Sequence, residues 1–354
     1  MKKKVKIAVA GGGTAGHVYP AISVLEYIAR EYQLEILYFT VPGKLEERII
    51  PRYFPNARLE PLNVKGFKRP LYNPGNLWVI TRLIPIIAKV RRILGSFQPH
   101  FVFTTGGYVT GPVAFTAHWM KIPLYIHEQN SKVGVANRLS LPYATKIFLS
   151  FPGSIQDIPP RYRHKVVVSG NPVRFKEMSP DERRKLRKSL GLEDEEKLVF
   201  VMGGSRGSHF LNNLVEKIQH LVNARFLVIT GDPAWTTRLK TKGIVAFTYT
   251  ERVPDILNIA DCALTRAGAT TIWELYTYGI PAILIPWEGA AEGHQLENAK
   301  FLCEYGEAVI IREKTATPEK VAEALEKQLS KPRRTLVDPY SAIKEIIKNI
   351  MEVC

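Results

Sequence analysis

Residues 262–298 read CALTRAGATTIWELYTYGIPAILIPWEGAAEGHQLEN. An apolar run ends at Thr265-Arg266-Ala267-Gly268, and a helix-like segment starts near Ala269 and Thr270, with Glu274 in its second turn. Gly279-Ile280-Pro281 closes that helix, and residues 282–287 read as a second buried strand. A polar loop then leads to His294, Gln295 and Asn298 at the head of another helix. Strand, glycine turn, helix, strand is a βαβ unit, which binds ligands beyond the carboxyl ends of its strands. The helix N-terminus offers unpaired N–H groups and a positive dipole end that suit a phosphate. Glu274, about one turn in, is spaced to accept hydrogen bonds from a ribose diol. In outline this is a nucleotide site.

The same pattern extends in both directions. Residues 4–10 (KVKIAVA) predict a buried strand, followed by the loop GGGTAGH and a helix through Ile22, Leu25 and Ile28. Strands are expected at 34–40, 58–63, 100–104, 123–127 and 146–149, with a helix over 44–53. The texture changes over 152–174, where prolines cluster around Ser169-Gly170-Asn171-Pro172-Val173-Arg174, and an interdomain linker is expected. The pattern then restarts with a strand at 197–202, the loop GGSRGS (203–208) and a helix through Leu221. Further strands are expected at 226–230, 244–248 and 309–311. Such alternation predicts an α/β protein made of two Rossmann-like, parallel-sheet domains facing each other across a cleft. The expected domains are 1–165 and 166–337, with a last helix within 338–354 packing back on the first.

Composition narrows the partners. A net charge of +16 over 354 residues points to nucleic acid, anionic membrane or phosphorylated small molecules. No aromatic-basic interleaving on a recognisable module supports nucleic acid. Cys262, Cys303 and Cys354 form neither a disulfide framework nor a metal-ligand spacing, so a reducing compartment is expected, with Cys262 and Cys303 as small buried hydrophobes. The opening Met-Lys-Lys-Lys is followed by too short an apolar run for a signal peptide, and no run of about 18 apolar residues predicts a membrane span. Asp-x-Asp, HExxH and CxxC do not occur, so no metal and no cofactor are expected. No lysine follows a glycine-rich loop as a Walker A motif requires.

Three loops bear on chemistry. In GGGTAGH, Gly11, Gly13 and Gly16 fit GxGxxG, but the second strand ends Tyr38-Phe39-Thr40 without the acid a dinucleotide site expects. A tight turn and an anion site with a functional His17 remain, and the second is preferred. Thr105-Gly106-Gly107-Tyr108 and His127-Glu128-Gln129-Asn130 each leave a strand of the same expected sheet. Their convergence raises His17 and Glu128 as acid/base candidates. Residues 76–94 (NLWVITRLIPIIAKVRRIL) allow two readings. One is a core helix. The other is an interfacial patch of Trp78, Leu83 and Ile87 whose flanking Arg and Lys lie on an anionic bilayer.

Taken together, GGGTAGHVYP, TTGGYVTGP, HEQN, GNPVR, GGSRGS and TRAGATTIWE with HQLENA resemble one family along nearly the whole chain. It is the bacterial UDP-N-acetylglucosamine:N-acetylmuramyl-(pentapeptide)-pyrophosphoryl-undecaprenol N-acetylglucosaminyltransferase family, of GT-B fold. The resemblance implies the last cytoplasmic step of peptidoglycan precursor synthesis: inverting transfer of N-acetylglucosamine from UDP-N-acetylglucosamine to the 4-hydroxyl of a lipid-linked muramyl-pentapeptide. It implies that Glu274 meets the ribose, and that Ala269, Thr270, Thr271, Ile272 and Trp273 line ribose and diphosphate. Ser205 would touch the diphosphate, Arg174 would add positive charge, and Val253 would offer its backbone to uracil. Gln295 with His294 would hold sugar hydroxyls, while Asn130 and the Thr14-Ala15-Gly16 turn would reach that sugar from the other domain. His17 is the implied general base, with Glu128 a second candidate or its orienting partner. Gly13, Thr105, Gly106, Gly107 and Tyr108 would receive the acceptor diphosphate. Trp78, Leu83, Ile87 and Trp119 would rest on the anionic cytoplasmic face of the plasma membrane, making the protein peripheral. Departures from the family pattern are Ala15 for glycine, His294 for glutamine, and Arg206 as an added cation. A UDP-N-acetylglucosamine epimerase, another UDP-sugar transferase of the same fold and a non-catalytic UDP-sugar sensor stay open as alternatives.

Overall fold

The computed structural model describes residues 2–64, 75–289, 293–334 and 337–351, with only the backbone described over 75–80. It divides into two compact units. One comprises Met1–Pro172 with Tyr340–Cys354, the other Val173–Pro339.

The first unit opens with β1 (Lys4–Gly11), α1 (Ala15–Glu31), β2 (Gln33–Thr40), α2 (Leu45–Tyr53) and β3 (Arg58–Pro61). It continues through α3 (Gly75–Phe97), β4 (Phe101–Gly106), α4 (Thr110–Trp119), β5 (Leu124–Glu128), α5 (Val135–Ser140), β6 (Lys146–Leu149) and β7 (Val166–Val168). Its strands form one parallel sheet in the order β3-β2-β1-β4-β5-β6-β7. The central strands are apolar on both faces: β4 and β5 are buried throughout, as a sheet covered on both sides requires. One face packs around Val90, Leu94, Val113 and Leu124, the other around Ile22, Leu25, Tyr125 and Phe148.

The second unit contains α6 (Pro180–Ser189), β8 (Leu198–Met202), α7 (His209–Ile218), β9 (Arg225–Ile229), α8 (Pro233–Lys240) and β10 (Val245–Phe247). After these come α9 (Val253–Ile259), β11 (Cys262–Thr265), α10 (Ala269–Tyr278), β12 (Ala282–Leu284), α11 (His294–Tyr305), β13 (Ala308–Ile310) and α12 (Pro318–Leu329). The sheet is again parallel, ordered β10-β9-β8-β11-β12-β13. A final helix, α13 (Ser341–Ile350), puts Ile346 and Ile350 into the core of the first unit beside α1. Two such Rossmann-like units make the GT-B fold.

In each sheet the chain runs outward over three strands and then returns beside the first. The strand order therefore reverses between β1 and β4 in one unit and between β8 and β11 in the other. Loops at such a reversal diverge to opposite faces and leave a crevice at the strands' carboxyl ends. The glycine loops of the sequence fall at these two points.

Several expectations change. The strand β7, too short at three residues to register as a periodic signal, pairs with β6, so the chain leaves the first unit after Pro172 rather than at 165. The segment over 76–94 is one helix with Pro85 inside it, and its two readings divide around its circumference. Val90, Ile93 and Leu94 are core, and Leu83, expected at the membrane, packs against that core because it shares their helical face. Ile84 on the other side is 67% exposed. The side chain of Trp78 lies outside the described residues. Trp287, expected at the end of a buried strand, is 53% exposed because β12 stops at Leu284. Cys262 is buried, whereas Cys303 is exposed, beside the buried stripe of Asn298, Ala299 and Leu302 on α11.

Candidate functional site

In the first unit, the loop after β1 is held mainly from below. The Tyr38 hydroxyl donates to the Gly11 carbonyl at 2.6 Å. Burial, with the charge of Glu46 second, keeps that phenol far above its ordinary range. Glu46 is fully buried, and its carboxylate accepts from Gly13 N–H at 3.0 Å and Val41 N–H at 2.9 Å. The Gly13 N–H, expected to meet an acceptor diphosphate, is therefore already engaged by an anion. The neighbouring loop after β4 leans directly on this one: a Cβ added to Gly107 would come within 2.7 Å of the Gly12 carbonyl oxygen. Gly106 and Gly107 both take positive φ, and Tyr108 beyond them is 60% exposed.

His17 sits in the first turn of α1, where Thr14 is exposed and Ala15 and Gly16 are half-buried. The Thr105 hydroxyl donates to the His17 carbonyl at 2.6 Å, which fixes its backbone from the neighbouring strand. Its Nδ1 lies 2.9 Å from Gln129 Oε1. Gln129 Nε2 in turn reaches His127 Nδ1 at 2.9 Å and the His127 carbonyl at 3.0 Å. Glu128 does not meet His17 in this way. Its carboxylate is 2% exposed and accepts from the N–H groups of Asn130 (2.9 Å) and Gly134 (2.8 Å) and from Asn137 Nδ2 (2.9 Å). Successive side chains on a strand point to opposite sides, so the contact expected of Glu128 falls to its neighbour. Glu128 instead ties down the loop that carries Asn130, whose amide also donates to it at 3.4 Å.

In the second unit, α10 begins at Gly268 with no side-chain cap, so its first N–H groups stay available at the switch point. The turn before it is held by its neighbours. Asn298 Nδ2 donates to the Ala267 carbonyl at 3.1 Å, and the buried Arg266 donates to the Ile285 carbonyl at 3.1 Å while pairing with Glu313. Glu274 is 3% exposed and lies 3.8 Å from Arg174. Burial raises its carboxyl to about 7, and the Arg174 charge only partly opposes that. Arg174 also donates to the Glu251 carbonyl at 3.1 Å, which steadies the turn that starts α9 at the buried Val253. Thr271, Ile272 and Trp273 are buried and Thr270 half-buried, so backbone rather than side chains is what this turn presents.

Ser205 and Arg206 are exposed on the loop after β8, the strand paired to β11. Gln295 accepts the Trp287 N–H at 2.9 Å through Oε1, so its NH₂ is the group it can still offer a sugar. His294 opens α11 beside it. Among the described residues no group of three His, Cys, Asp or Glu is arranged to hold a metal ion, and no helix is long and apolar enough to cross a membrane. Sequence reasoning assigned no role to Gln129, Glu46 or the Arg266 clamp. Gln129 was visible inside HEQN, but Glu46 acts on a loop 33 residues away and left no local signal.

Comparisons with known proteins identify the family and the fold. Residues 7–149 match the model of the glycosyltransferase family 28 N-terminal domain, and residues 198–353 match that of the C-terminal domain. A UDP-N-acetylglucosamine–N-acetylmuramyl-(pentapeptide) pyrophosphoryl-undecaprenol N-acetylglucosamine transferase of Thermotoga maritima is 38% identical over 352 residues, covering 98% of this chain and 100% of that one. Among solved structures, MurG of Acinetobacter baumannii superposes with a TM-score of 0.70 at 22% identity, covering 99% of both chains. A UDP-GlcNAc 2-epimerase from Methanocaldococcus jannaschii shares the fold, with a TM-score of 0.64 at 15% identity and 99% coverage of both. The chain therefore belongs to glycosyltransferase family 28 and, within it, to the UDP-N-acetylglucosamine–N-acetylmuramyl-(pentapeptide) pyrophosphoryl-undecaprenol N-acetylglucosamine transferases.

Proposed function

We propose that the protein transfers N-acetylglucosamine from UDP-N-acetylglucosamine to the 4-hydroxyl of undecaprenyl-pyrophosphoryl-N-acetylmuramyl-pentapeptide, a step of peptidoglycan biosynthesis on which cell shape and division depend. The observation that carries this is the uncapped N-terminus of α10 with buried Glu274 in its second turn, in a chain 38% identical over its length to a transferase of that name. In this reading Glu274 accepts from the ribose diol, Arg174 and Ser205 sit by the diphosphate, Val253 offers its backbone to uracil, and Gln295 with His294 holds the sugar. The α10 dipole stabilises the leaving UDP, whose negative charge grows as the bond to C1 breaks. The acceptor's O4 attacks C1 from the opposite side, inverting it to a β1→4 link. The O4 proton passes to His17, and the C1–phosphate electron pair leaves with UDP.

The acceptor is lipid-linked, and the first unit carries a surface suited to a membrane. Ile84, Ile87 and Trp119 border an open groove of about 540 Å³ with Arg91 and Arg92 at its edge. Trp119 is 63% exposed, and the Arg91 guanidinium lies over its ring at 5.3 Å. Apolar residues ringed by arginine are what an anionic bilayer surface selects, at roughly 1 kcal/mol per basic residue. Peripheral attachment at the cytoplasmic face follows as part of the same reading.

The test is incubation with UDP-N-acetylglucosamine, with and without a short-chain lipid-linked muramyl-pentapeptide in detergent. UDP should be released only when both substrates are present. Donor conversion without acceptor would instead favour the epimerase chemistry that shares this fold, and no turnover with both present would sink the transferase reading. Polar replacement of Ile84, Ile87 and Trp119 should weaken liposome flotation, and unchanged flotation would remove the membrane role.

A further inference from the structure

His17 has two ring nitrogens, and only the unprotonated one can accept the acceptor's proton. The surroundings decide which one that is. Gly170 O can only accept, and it lies 3.2 Å from His127 Nε2, so the neutral His127 ring carries its proton on Nε2. Burial in the first-unit core, partly opposed by that same bond, holds His127 down to about 4, so the ring is neutral at ordinary pH. Its Nδ1 is then a bare acceptor, met at 2.9 Å by Gln129 Nε2. The same Nε2 is 3.0 Å from the His127 carbonyl, a second group that can only accept. Two acceptors fix the amide so that its NH₂ points at His127 and its oxygen at His17. Flipping the amide would set oxygen against oxygen at the carbonyl. The remaining link is Gln129 Oε1 to His17 Nδ1 at 2.9 Å, and an amide oxygen there requires Nδ1–H.

We propose that Gln129 is a positioning residue that holds His17 as its Nδ1–H tautomer and so leaves Nε2 as the nitrogen that takes the acceptor's proton. The inference rests on the transferase reading for its catalytic meaning, but the tautomer is a property of the free protein. Two fixed points, the carbonyls of Gly170 and His127, set the direction of every hydrogen bond between them. Gln129 is 1% exposed and His127 fully buried, so water does not compete at the His127 end, which sets the direction of the amide. The preference is needed because neutral histidine in water favours the opposite form, Nε2–H. Left alone, His17 would present a proton where the reaction needs a lone pair. The amide serves better than a carboxylate would, since it receives the Nδ1–H without adding a buried negative charge beside His127.

The experiment begins with ¹⁵N-histidine-labelled full-length protein, with the His17 resonances assigned by their loss in His17→Gln. At a pH where the ring is neutral, His17 should show a protonated Nδ1 and a bare Nε2, and His127 the reverse. A predominantly Nε2–H His17 overturns the proposal whether or not the enzyme turns over. In Gln129→Met, which keeps the side-chain length without the amide, His17 should shift toward Nε2–H. The kcat should then fall roughly ten- to a hundredfold while the KM for UDP-N-acetylglucosamine stays within about twofold. If Gln129→Met loses stability instead, the wild-type spectrum still decides the tautomer. If Gln129→Met keeps full kcat with a shifted tautomer, Gln129 does not position the base. Absence of turnover in the wild type would fail the transferase reading and leave the spectroscopic result standing.

Discussion

The loops after β1 and after β11 lie on opposite sides of the strand-order reversal in their units, on the first strand of one sheet and the fourth of the other, yet each is a glycine turn feeding a helix at that reversal. They differ in what already occupies their N–H groups. In the first, the buried carboxylate of Glu46 accepts Gly13 N–H and Tyr38 clasps the Gly11 carbonyl, so the backbone is largely spoken for. The group that loop presents is a side chain, His17, the proposed base, held by Gln129 from the loop after β5. In the second, Gly268 gives α10 no side-chain cap, and the buried carboxyl of Glu274 lies inside the helix instead of across its mouth. That loop leaves its dipole end uncapped, where the proposed reading puts the UDP diphosphate. The shape of a glycine loop at a switch point therefore does not by itself leave its N–H groups open; the placement of one buried acid separates these two.

The sharpest way to break this comparison is to remove the key side chain on each side. His17→Ala should lower kcat by about 10² to 10⁴-fold while the affinity for UDP-N-acetylglucosamine, measured by calorimetry, changes little. If His17→Ala kept near-full turnover, the first loop would have no catalytic group and the contrast would fail. Glu274→Ala should do the opposite at smaller scale. Losing charged hydrogen bonds to a diol costs about 1.5–3 kcal/mol, or roughly ten- to a hundredfold in donor affinity, with less effect on kcat at saturating donor. A Glu274→Ala variant with unaltered donor affinity but impaired kcat would reverse the roles of the two loops.

The fold was readable because both halves repeat strand, glycine loop and helix, and because buried parallel strands such as FVFTT and CALT are apolar without alternation. The α10 turn was readable for the same local reason, since Glu274 follows the capping Gly268 by six positions in one helix. What was not readable depends on contacts distant in sequence or on strand parity. Gly13 looked free to bind an anion until Glu46, brought across by α2, was found beneath it. Glu128 was read as a partner of His17 because their loops converge, yet Gln129, the next residue and just past β5, is the one that reaches the histidine. Leu83 looked interfacial because Arg and Lys flank it in the sequence, while helical rotation packs it against the core.

Acidity sharpens the contrast further. The Glu274 carboxyl is raised from 4.5 to about 7 by burial, so across that window the folded chain holds a proton the unfolded chain has lost. Stability from this group therefore falls as pH rises from about 4.5 to 7. Donor binding moves the other way, because a ribose diol donates to the ionised form and draws the proton off. Affinity for UDP-N-acetylglucosamine, whose diphosphate does not titrate here, should rise about tenfold from pH 6 to 8, with proton release falling from close to one at pH 6 to roughly a tenth at pH 8. Calorimetry in buffers of different ionisation enthalpy measures that proton. Glu274→Gln should flatten the profile, and an unchanged slope in that variant would assign the titration to another group.

The smallest expected difference lies in the two turn glycines. Gly13 has φ +87 with open space where a Cβ would go, so Gly13→Ala is strained by its backbone alone, at about 1 kcal/mol. Gly268 has φ −65 and its Cβ would stand 3.7 Å from Thr271 Oγ1, an ordinary contact. There alanine fits, and its reduced freedom when unfolded offsets the rest. Thermal denaturation should therefore show the first unit lowered by roughly 2–4 °C in Gly13→Ala and the second unit barely moved in Gly268→Ala. The donor affinity of Gly268→Ala should also hold within about twofold, because the α10 N–H groups, and not the absence of a side chain before them, are what the anion meets. A large loss of donor affinity in Gly268→Ala would show instead that the phosphate needs the space a Cβ takes. The second loop would then be shaped by close approach rather than by its open dipole.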